Sequence, residues 1–473
     1  MATLLFLDEL WYEKLGPMYI SAAIKAHGHK CIISIGRFDD FRRDIEVFRP
    51  DLIGFSAMTM EMNFVRKTSS RLKRSGIKTP IIVGGIHATF FPEIIEDENI
   101  DLVCVGEAET SMTILLDKID KKESFWDVPN IWFKENGKIV KNQINYFEQN
   151  LDNLPFPDRE LYRRYKYFRK NIYFAPVMTK RGCPFECSYC FNVSLKEISN
   201  WPKKHYVRYR SVDNVIAELE IIKKKYHPKY FLFQDGTFVI NDEWTFDFCR
   251  KYKEKISIPF TCHIRPERIS ENLIIALKTA GCDLVKFGIE SGSQRIRSDI
   301  LNRKVKDDQI IRMANWLRKN GIKFYTFNMM GLPTETFVEA WRTIELNRKI
   351  KPYAYAFDLY IPYPKTKLAN FSLEKKIIKE EDFNKLHLPK YNMYQSILRQ
   401  AEIDRVVNLL KLYWPSIKFS FLSNFWKEIT KLPPNFLFDF IYNFSIAWQH
   451  RKDCRLSIFR LIAVIIKNFK IFK

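Results

Sequence analysis

Residues 181–192 read RGCPFECSYCFN and are the most informative segment of the chain. It places Cys183, Cys187 and Cys190 on one short loop, with the spacing C-x3-C-x2-C. Three thiolates on one loop can converge on a single metal centre. A structural zinc site normally takes four protein ligands, usually as two pairs, and no second cysteine or histidine pair lies nearby. The spacing therefore favours an iron–sulfur cluster, in which three cysteines leave one iron free for a non-protein ligand.

With Tyr189 before its last cysteine, this loop resembles the signature of radical S-adenosylmethionine (SAM) enzymes. The resemblance implies a 4Fe-4S cluster on the three cysteines, and a free iron that chelates the amino and carboxylate groups of SAM. An electron from the reduced cluster then cleaves SAM to a 5′-deoxyadenosyl radical, which takes a hydrogen atom from the substrate. The alternative interpretation is an unmetallated or zinc-bound structural loop.

Further segments resemble the SAM-contacting positions of that family. Residues 287–293 read FGIESGS and end a predicted barrel strand, and the upper rim of a barrel is where ligands bind. Residues 328–333 resemble the glycine segment that borders adenine. By itself, a carboxylate such as Glu290 is equally typical of a helix start. The resemblance assigns SAM contacts to Tyr189, Phe191, Glu290, Ser291 and Arg303, the last of these for the SAM carboxylate.

Six strand-and-helix units between residues 176 and 364 predict a partial (β/α)6 barrel, the fold that the radical SAM resemblance also implies. Asp235 and Arg265 follow the second and third strands, so we expect them at the same rim, binding the substrate or each other. The predicted strands cover residues 176–180, 230–234, 260–264, 284–289, 323–329 and 355–360.

The first 120 residues alternate short apolar runs with helix-length segments, which predicts a doubly wound sheet of five parallel strands. Such sheets bind their ligands beyond the carboxyl ends of the strands. The turns at those ends are rich in small residues, which let a large ligand approach the backbone. The predicted strands cover residues 3–8, 31–36, 51–58, 81–85 and 101–106.

These turns resemble the cobalamin-binding domain of cobalamin-dependent radical SAM enzymes. Histidine-ligating domains carry Asp-x-His-x-x-Gly after the first strand, whereas Leu10 stands at the histidine position here. We therefore expect no histidine on the cobalt, and Trp11 or Tyr12 over its lower face. The alternative is a flavodoxin-like sheet that binds another nucleotide-tailed ligand or none. The resemblance assigns cobalamin contacts to Ser56, Met58, Thr59, Gly84, Gly85, His87, Gly106 and Glu107.

The predicted organisation has four parts. A cobalamin-binding-like domain covers residues 1–125, and a hairpin with a linker covers residues 126–169. The radical SAM barrel covers residues 170–370, and a helical C-terminal domain covers residues 371–473. The hairpin prediction comes from Glu135-Asn136-Gly137, a turn sequence between two apolar segments.

Composition limits the possible partners. With 46% hydrophobic residues the chain is no disordered protein, and its net charge of +22 favours anionic partners such as phosphates, nucleic acid or lipid headgroups. After residue 390, aromatic pairs such as Phe425-Trp426 and an apolar run at residues 461–466 alternate with Lys and Arg. This pattern predicts either helices packed against the barrel or a basic amphipathic surface on anionic lipid.

The expected location is the cytoplasm, with or without peripheral contact to the inner face of the membrane. Nine cysteines, scattered apart from the one loop, favour a reducing compartment. The start ATLLFLD is strand-like and lacks the pattern of a signal peptide. We expect no membrane span, because charges or prolines interrupt every long apolar run.

The two resemblances together imply a C-methyltransferase. One SAM methylates reduced cobalamin, a second yields the radical, and the substrate carbon radical collects the methyl group. We expect a small-molecule or lipid-like substrate and an external electron donor such as flavodoxin or ferredoxin. The alternative within the same family is a cyclase or rearrangement enzyme that transfers no methyl group.

Two other classes are less favoured. RNA-modifying methylthiotransferases have a similar barrel, but their N-terminal domain supplies three more cluster cysteines. Only Cys31 and Cys104 precede the linker here, each within a predicted strand, so nucleic acid is not an expected partner. A non-enzymatic cobalamin or redox sensor is disfavoured by the intact cluster loop.

Overall fold

The computed structural model describes residues 1–9, 12–135, 137–144, 147–170, 174–198, 206–386 and 394–453. The chain divides into two compact units. The first comprises residues 1–182 and 195–229, and the second comprises residues 183–194 and the chain from residue 230 onward. The four predicted domain ranges remain predictions.

The first unit contains a seven-stranded sheet. Its strands are β1 (Thr3–Asp8), β2 (Lys30–Ile35), β3 (Leu52–Ser56), β4 (Ile81–Gly84), β5 (Leu102–Cys104), β6 (Ile131–Glu135) and β7 (Lys138–Lys141). They lie in the order β2-β1-β3-β4-β5-β6-β7, and the first five pair in parallel. The five predicted parallel strands are therefore confirmed.

The hairpin β6–β7 extends this sheet, whereas the sequence placed it in a linker. It pairs antiparallel with β5. Ile131 and Phe133 explain the pairing, because both are buried in the same core as Leu102 and Cys104 of β5. The predicted five-stranded sheet is thus corrected to a mixed sheet of seven strands.

Alternation along β1 explains why both faces of this sheet are covered. Leu4 and Phe6 belong to one buried cluster, and Leu5 and Leu7 belong to the other, as the two-residue period of a strand requires. The helices of this unit are α1 (Leu15–Ala26), α2 (Phe38–Phe48), α3 (Met62–Arg74), α4 (Ile86–Phe90) and α5 (Glu109–Lys121). The first cluster receives side chains from α1 and α5, and the second from α2 and α3.

Short elements follow the sheet. They are α6 (Lys166–Lys170), β8 (Phe174–Val177), β9 (Lys180–Arg181), α7 (Phe191–Ile198), β10 (Arg208–Tyr209) and α8 (Val212–Tyr226). Strands β9 and β10 pair antiparallel, with Arg181 opposite Arg208. Strand β8 corresponds to the first predicted barrel strand.

The second unit alternates strands and helices as predicted. Its strands are β11 (Tyr230–Phe233), β12 (Phe260–His263), β13 (Cys282–Glu290), β14 (Lys323–Met330) and β15 (Ala354–Leu359), and they pair in parallel in chain order. The intervening helices are α9 (Asp242–Lys255), α10 (Glu271–Ala280), α11 (Asp307–Lys319) and α12 (Phe337–Ile350). The predicted α/β class, with parallel strands in both units, is confirmed.

The C-terminal part is helical, as predicted. Its helices are α13 (Lys367–Glu374), α14 (Ile403–Lys411), α15 (Tyr413–Lys418), α16 (Ser423–Ile429) and α17 (Phe436–Asp453). Helix α17 covers the edge strand β15, since Tyr442 donates to the Phe357 carbonyl and Gln449 accepts from the Tyr355 amide, each at 3.2 Å. The apolar run at residues 461–466 lies outside the described residues. Within the part of the chain that the structure describes, no helix has the length and apolar character needed to cross a membrane.

Candidate active site

A cavity of about 180 Å³ lies in the second unit, where the cluster loop meets the carboxyl ends of the strands. Cys183, Cys187 and Cys190 line it on one side. Glu290 and Arg303 line it as well. The carboxyl end of a parallel β/α sheet is where such folds bind their ligands. Tyr189 lines it too, so the structure brings the predicted cluster cysteines and three predicted SAM contacts to one cavity.

Backbone contacts hold the cysteine loop in place. Ser188 donates from its amide to the Leu301 carbonyl at 3.1 Å and from its hydroxyl to the Ile300 carbonyl at 2.5 Å. The Ser188 carbonyl accepts from the Leu368 amide at 2.8 Å. These bonds fix the middle of the loop between its cysteines.

The cysteine environment fits an iron–sulfur cluster. Burial raises the pKa of the Cys183 and Cys190 thiols, so the thiolate ligand form depends on a bound positive centre. Among the residues that the structure describes, no three Cys, His or carboxylate side chains come close enough to hold a single metal ion. The three thiols nevertheless line one cavity.

Glu290 ends β13 in the left-handed region, at φ 68°. Its carboxylate accepts from the Tyr189 hydroxyl and from Arg303 Nη1, each at 3.0 Å. Burial raises the pKa of Glu290, and the neighbouring Arg303 opposes that rise. A Cβ on Gly288 would overlap the Glu290 carboxyl group, so the glycine of the FGIESG segment is required by this geometry.

Arg303 fits the carboxylate of SAM. Its side chain is 2% exposed, and its Nε and Nη2 donors have no hydrogen-bond partner among the residues that the structure describes. Buried donors of this kind normally have an acceptor, and a guanidinium pairs well with a carboxylate in two parallel hydrogen bonds. Arg303 lines the same cavity as the three cysteines, and its contact with the SAM carboxylate remains a prediction.

A second set of contacts joins Arg303 to the loop. Arg303 Nη2 lies 3.8 Å from Glu267, and Glu267 accepts from Arg265 Nε at 2.8 Å. Arg265 Nη1 in turn donates to Cys187 Sγ at 3.3 Å. These contacts form one continuous series that runs from Cys187 through Arg265, Glu267, Arg303 and Glu290 to Tyr189.

Arg297, which no sequence pattern indicates, stabilises the segment that carries Arg303. It is fully buried and donates to the carbonyls of Ser291 at 2.7 Å and Val305 at 3.1 Å. It also pairs with Asp307. No periodicity or spacing in the sequence marks this arginine as structural, because its partners are carbonyl groups whose positions only the fold defines.

Three other predicted residues do not line the cavity. Ser291 is fully buried, and its hydroxyl accepts from the Ser293 amide at 3.2 Å. The Phe191 ring packs against Tyr363 at 5.3 Å between centroids. Asp235 is 2% exposed. The SAM contacts predicted for Ser291 and Phe191 remain predictions, and Arg265 contacts Cys187.

The predicted adenine segment is shaped by Glu335, a residue that the sequence analysis did not identify. Glu335 Oε2 accepts from the amides of Gly331 at 2.8 Å and Leu332 at 3.2 Å. Burial raises the pKa of Glu335 to about 8. A largely neutral carboxyl group therefore holds this turn at pH 7.

The predicted cobalamin residues in the first unit gather at the ends of β3 and β4. Ser56 pairs with Gly84 in the strand register, and the Ala57 amide donates to the Gly84 carbonyl at 3.0 Å. Gly85 has φ 92°, and a Cβ there would lie 2.8 Å from the Ala57 amide nitrogen. The Gly-Gly pair thus allows two backbone turns to approach closely, as a ligand-binding strand end requires.

Side chains around these turns fit a large apolar ligand. His87 Nδ1 lies 3.1 Å from the Thr59 hydroxyl. Met58 and Met60 are each 47% exposed, and Tyr12 is 40% exposed. Large apolar side chains left uncovered beside a glycine turn are the surface that a corrin ring or nucleotide tail would cover. The sequence did not indicate Met60.

Gly106 and Glu107 have partners within the protein. The Gly106 amide donates to the Thr89 hydroxyl at 3.0 Å. The Glu107 carboxylate pairs with Arg208 at 2.6 Å and with Arg181 at 3.0 Å. The predicted cobalamin contact of Glu107 stays a prediction, but its carboxylate is engaged by two arginines.

Charged side chains that no sequence pattern indicates surround Tyr12, which is predicted to cover the lower face of the cobalt. Lys14 pairs with Asp8 at 2.9 Å and Glu61 at 2.8 Å, and the Tyr12 hydroxyl donates to Glu61 at 3.3 Å. Burial raises the pKa of Tyr12 to about 12, so its phenol stays protonated. Residues 10 and 11, which include the leucine and tryptophan discussed above, lie outside the described residues.

Comparisons with known proteins agree with this geometry. The radical SAM superfamily model matches residues 177–346, and the B12 binding domain model matches residues 9–116. An uncharacterised methyltransferase of Pyrococcus horikoshii is 30% identical over 371 residues, which cover 77% of this chain and 79% of that protein. The anaerobic magnesium-protoporphyrin IX monomethyl ester cyclase of Rubrivivax gelatinosus is 26% identical over 404 residues, which cover 82% of this chain and 70% of the cyclase.

A solved structure shows the same fold. The radical SAM methyltransferase TsrM of Kitasatospora setae, with cobalamin and a [4Fe-4S] cluster bound, matches with a TM-score of 0.64 at 16% identity. The match covers 79% of this chain and 75% of that one. The predicted cofactors, a 4Fe-4S cluster, SAM and cobalamin, are confirmed, and so is the prediction that the chain is an enzyme. The chain belongs to the radical SAM superfamily, within the group whose radical SAM domain follows a B12-binding domain.

Proposed function

We propose that this protein is a cobalamin-dependent radical SAM methyltransferase that methylates an unactivated carbon. The observation that carries the proposal is one cavity lined by the three cluster cysteines and by Arg303, in a chain that also has a B12-binding domain. The Pyrococcus horikoshii relative, which bears a methyltransferase name, matches most of both chains. When bound, the cofactors supply a hydrogen-abstracting radical and a methyl group.

The chain's own residues bind and orient these groups. Cys183, Cys187 and Cys190 would hold the cluster. Arg303 would pair with the SAM carboxylate, and Glu290 would accept hydrogen bonds from the SAM amino or ribose groups. Because Arg303 and Glu290 are 2% and 9% exposed, their charges act in a site with little water, where electrostatic contacts are strong.

The wall formed by His263, Lys286 and Phe327 has no unbalanced charge, which suits an uncharged substrate. Burial and the neighbouring Lys286 lower the pKa of His263 to about 4, so its imidazole is neutral at pH 7. The Lys286 charge is balanced by Asp453 at 2.6 Å, and the Phe327 ring lies 6.0 Å from His263. We infer a small-molecule or lipid-like substrate, as the porphyrin ester named for the Rubrivivax gelatinosus relative also suggests.

The test uses reconstituted protein, reductant, a total lipid extract and SAM that carries a trideuterated methyl group. We expect a lipid product that has gained one CD3 group, together with 5′-deoxyadenosine and S-adenosylhomocysteine. The Cys187→Ala protein is the control and should yield none of them. A product with an unchanged carbon count would contradict methyl transfer and favour the cyclase or rearrangement alternative, which the 26% identity to the cyclase supports.

We also propose a cytoplasmic location and an external electron donor such as flavodoxin or ferredoxin. All eight cysteines among the described residues are free thiols, which is typical of a reducing compartment. The net charge of +22 favours encounter with an acidic donor protein. Nucleic acid remains a disfavoured partner.

A surface in the C-terminal helices supports peripheral contact with anionic lipid. Phe436, Phe440 and Phe444 follow each other at the four-residue spacing of one helix face, and they are 84%, 66% and 49% exposed. Phe421 and Phe425 are also exposed, and Lys427 and Lys431 lie between Phe425 and Phe436 in sequence. Exposed aromatic rings with lysines are typical of helices that lie in a bilayer interface.

Sedimentation with phosphatidylserine vesicles tests this surface. We expect the triple substitution of Phe436, Phe440 and Phe444 to serine to reduce the vesicle-bound fraction at least tenfold, because it removes three apolar side chains from the interface. A matched control changes Ile221, Phe246 and Val338, which are exposed elsewhere, to serine and should bind like wild type. Equal binding by both triple variants would contradict the membrane contact.

A further inference from the structure

Arg265 contacts the cluster loop in a way that SAM binding does not require. Its Nη1 donates to Cys187 Sγ at 3.3 Å, and its guanidinium lies over the Phe185 ring at 3.8 Å from the centroid. Its Nε donates to Glu267 at 2.8 Å, and its Nη2 reaches the same carboxylate. The guanidinium is therefore fixed by a ring face and a carboxylate, and one N–H is directed at the sulfur.

This contact has two electrostatic effects on a metal-bound sulfur. Arginine keeps its positive charge at every physiological pH, and Arg265 is only 9% exposed, so its charge is weakly screened. A hydrogen bond from a charged donor to a thiolate is also stronger than a neutral one. Hydrogen bonds to the sulfurs and the local charge are among the factors that determine the reduction potential of iron–sulfur clusters.

We propose that Arg265 raises the reduction potential of the iron–sulfur cluster, as a positioning residue that acts through the Cys187 sulfur. The inference rests on the cluster assignment of the proposed function. The reduction adds one electron from the external donor and transfers no proton. The added negative charge is stabilised by the Arg265 guanidinium, so a larger fraction of the protein is reduced at a given potential.

The test is a redox titration of the reconstituted full-length protein without SAM, with dithionite as reductant and the EPR signal of the reduced state as readout. In Arg265→Gln we expect the ratio of reduced to oxidised protein at a fixed potential to fall about tenfold, equivalent to ~59 mV for one electron. Arg265→Lys keeps the positive charge but lacks the planar guanidinium group, so its midpoint potential should shift less than that of Arg265→Gln. Arg268→Gln, with 45% of its side chain exposed, is the matched control and should titrate like wild type.

Iron content and circular dichroism are measured on every variant. A wild-type midpoint in Arg265→Gln with full iron content would overturn the inference. Loss of iron from both Arg265 variants would also overturn it, because Arg265 would then be needed to assemble the loop. The titration requires no substrate. A shifted midpoint in a protein that never methylates would therefore support the role of Arg265 while contradicting the proposed function.

Discussion

Replacing Cys183, Cys187 or Cys190 by alanine is expected to abolish 5′-deoxyadenosine formation, with at least a thousandfold loss of rate. The three thiols line one cavity, and each is needed because a cluster with two protein ligands leaves a second iron without a thiolate. Iron per chain and 5′-deoxyadenosine after anaerobic reconstitution with dithionite are the measurements. Both should fall together in each variant.

Cys249 provides the matched control for this prediction. It is a free cysteine, 4% exposed, on helix α9 and away from the loop. Cys249→Ala should keep its iron and its SAM cleavage, because burial alone does not make a thiol a ligand. Wild-type turnover in any one of the three loop variants would refute the ligand assignment.

Replacing Arg303 by methionine is expected to weaken SAM binding by about 10- to 100-fold, since a hydrogen bond to a charged group contributes about 1.5–3 kcal/mol. The substitution removes the guanidinium donors and leaves the buried Glu290 carboxylate without the Arg303 cation that it pairs with. The dissociation constant of SAM, measured by equilibrium dialysis on the reconstituted protein, is the readout.

Two further variants separate a binding role of Arg303 from a structural one. Arg303→Lys retains the charge but cannot form a bidentate pair, so its affinity should lie between those of wild type and Arg303→Met. Arg312→Met, at an exposed position of α11, should bind SAM like wild type. Full SAM affinity in Arg303→Met would exclude the proposed carboxylate contact.

Sequence patterns predicted the strands and the cluster loop, because each of these features is defined by a few consecutive residues. The apolar run of β1 and the cysteine spacing are each contained in a few residues. The addition of the hairpin β6–β7 to the sheet depends on which buried edge is available, and β5 supplies that edge only in the folded chain.

Contacts between charged residues far apart in the sequence are the main feature of the site that sequence patterns do not predict. The contact from Arg265 to Cys187 spans 78 residues, and the one from Arg208 to Glu107 spans 101. Spacing and periodicity carry no information at such separations. The sequence therefore indicates neither Arg181 and Arg208 as partners of Glu107 nor Cys187 as a partner of Arg265.

The most direct test of the account is the metal content of the full-length protein, purified without oxygen and reconstituted with iron, sulfide and cobalamin. We expect about four iron atoms and about one cobalt atom per chain, the iron in a [4Fe–4S] cluster. Iron should disappear from the Cys187→Ala protein while its cobalt stays, because the two cofactors bind through different residues. A colourless wild-type protein that retains no iron after reconstitution would contradict the account.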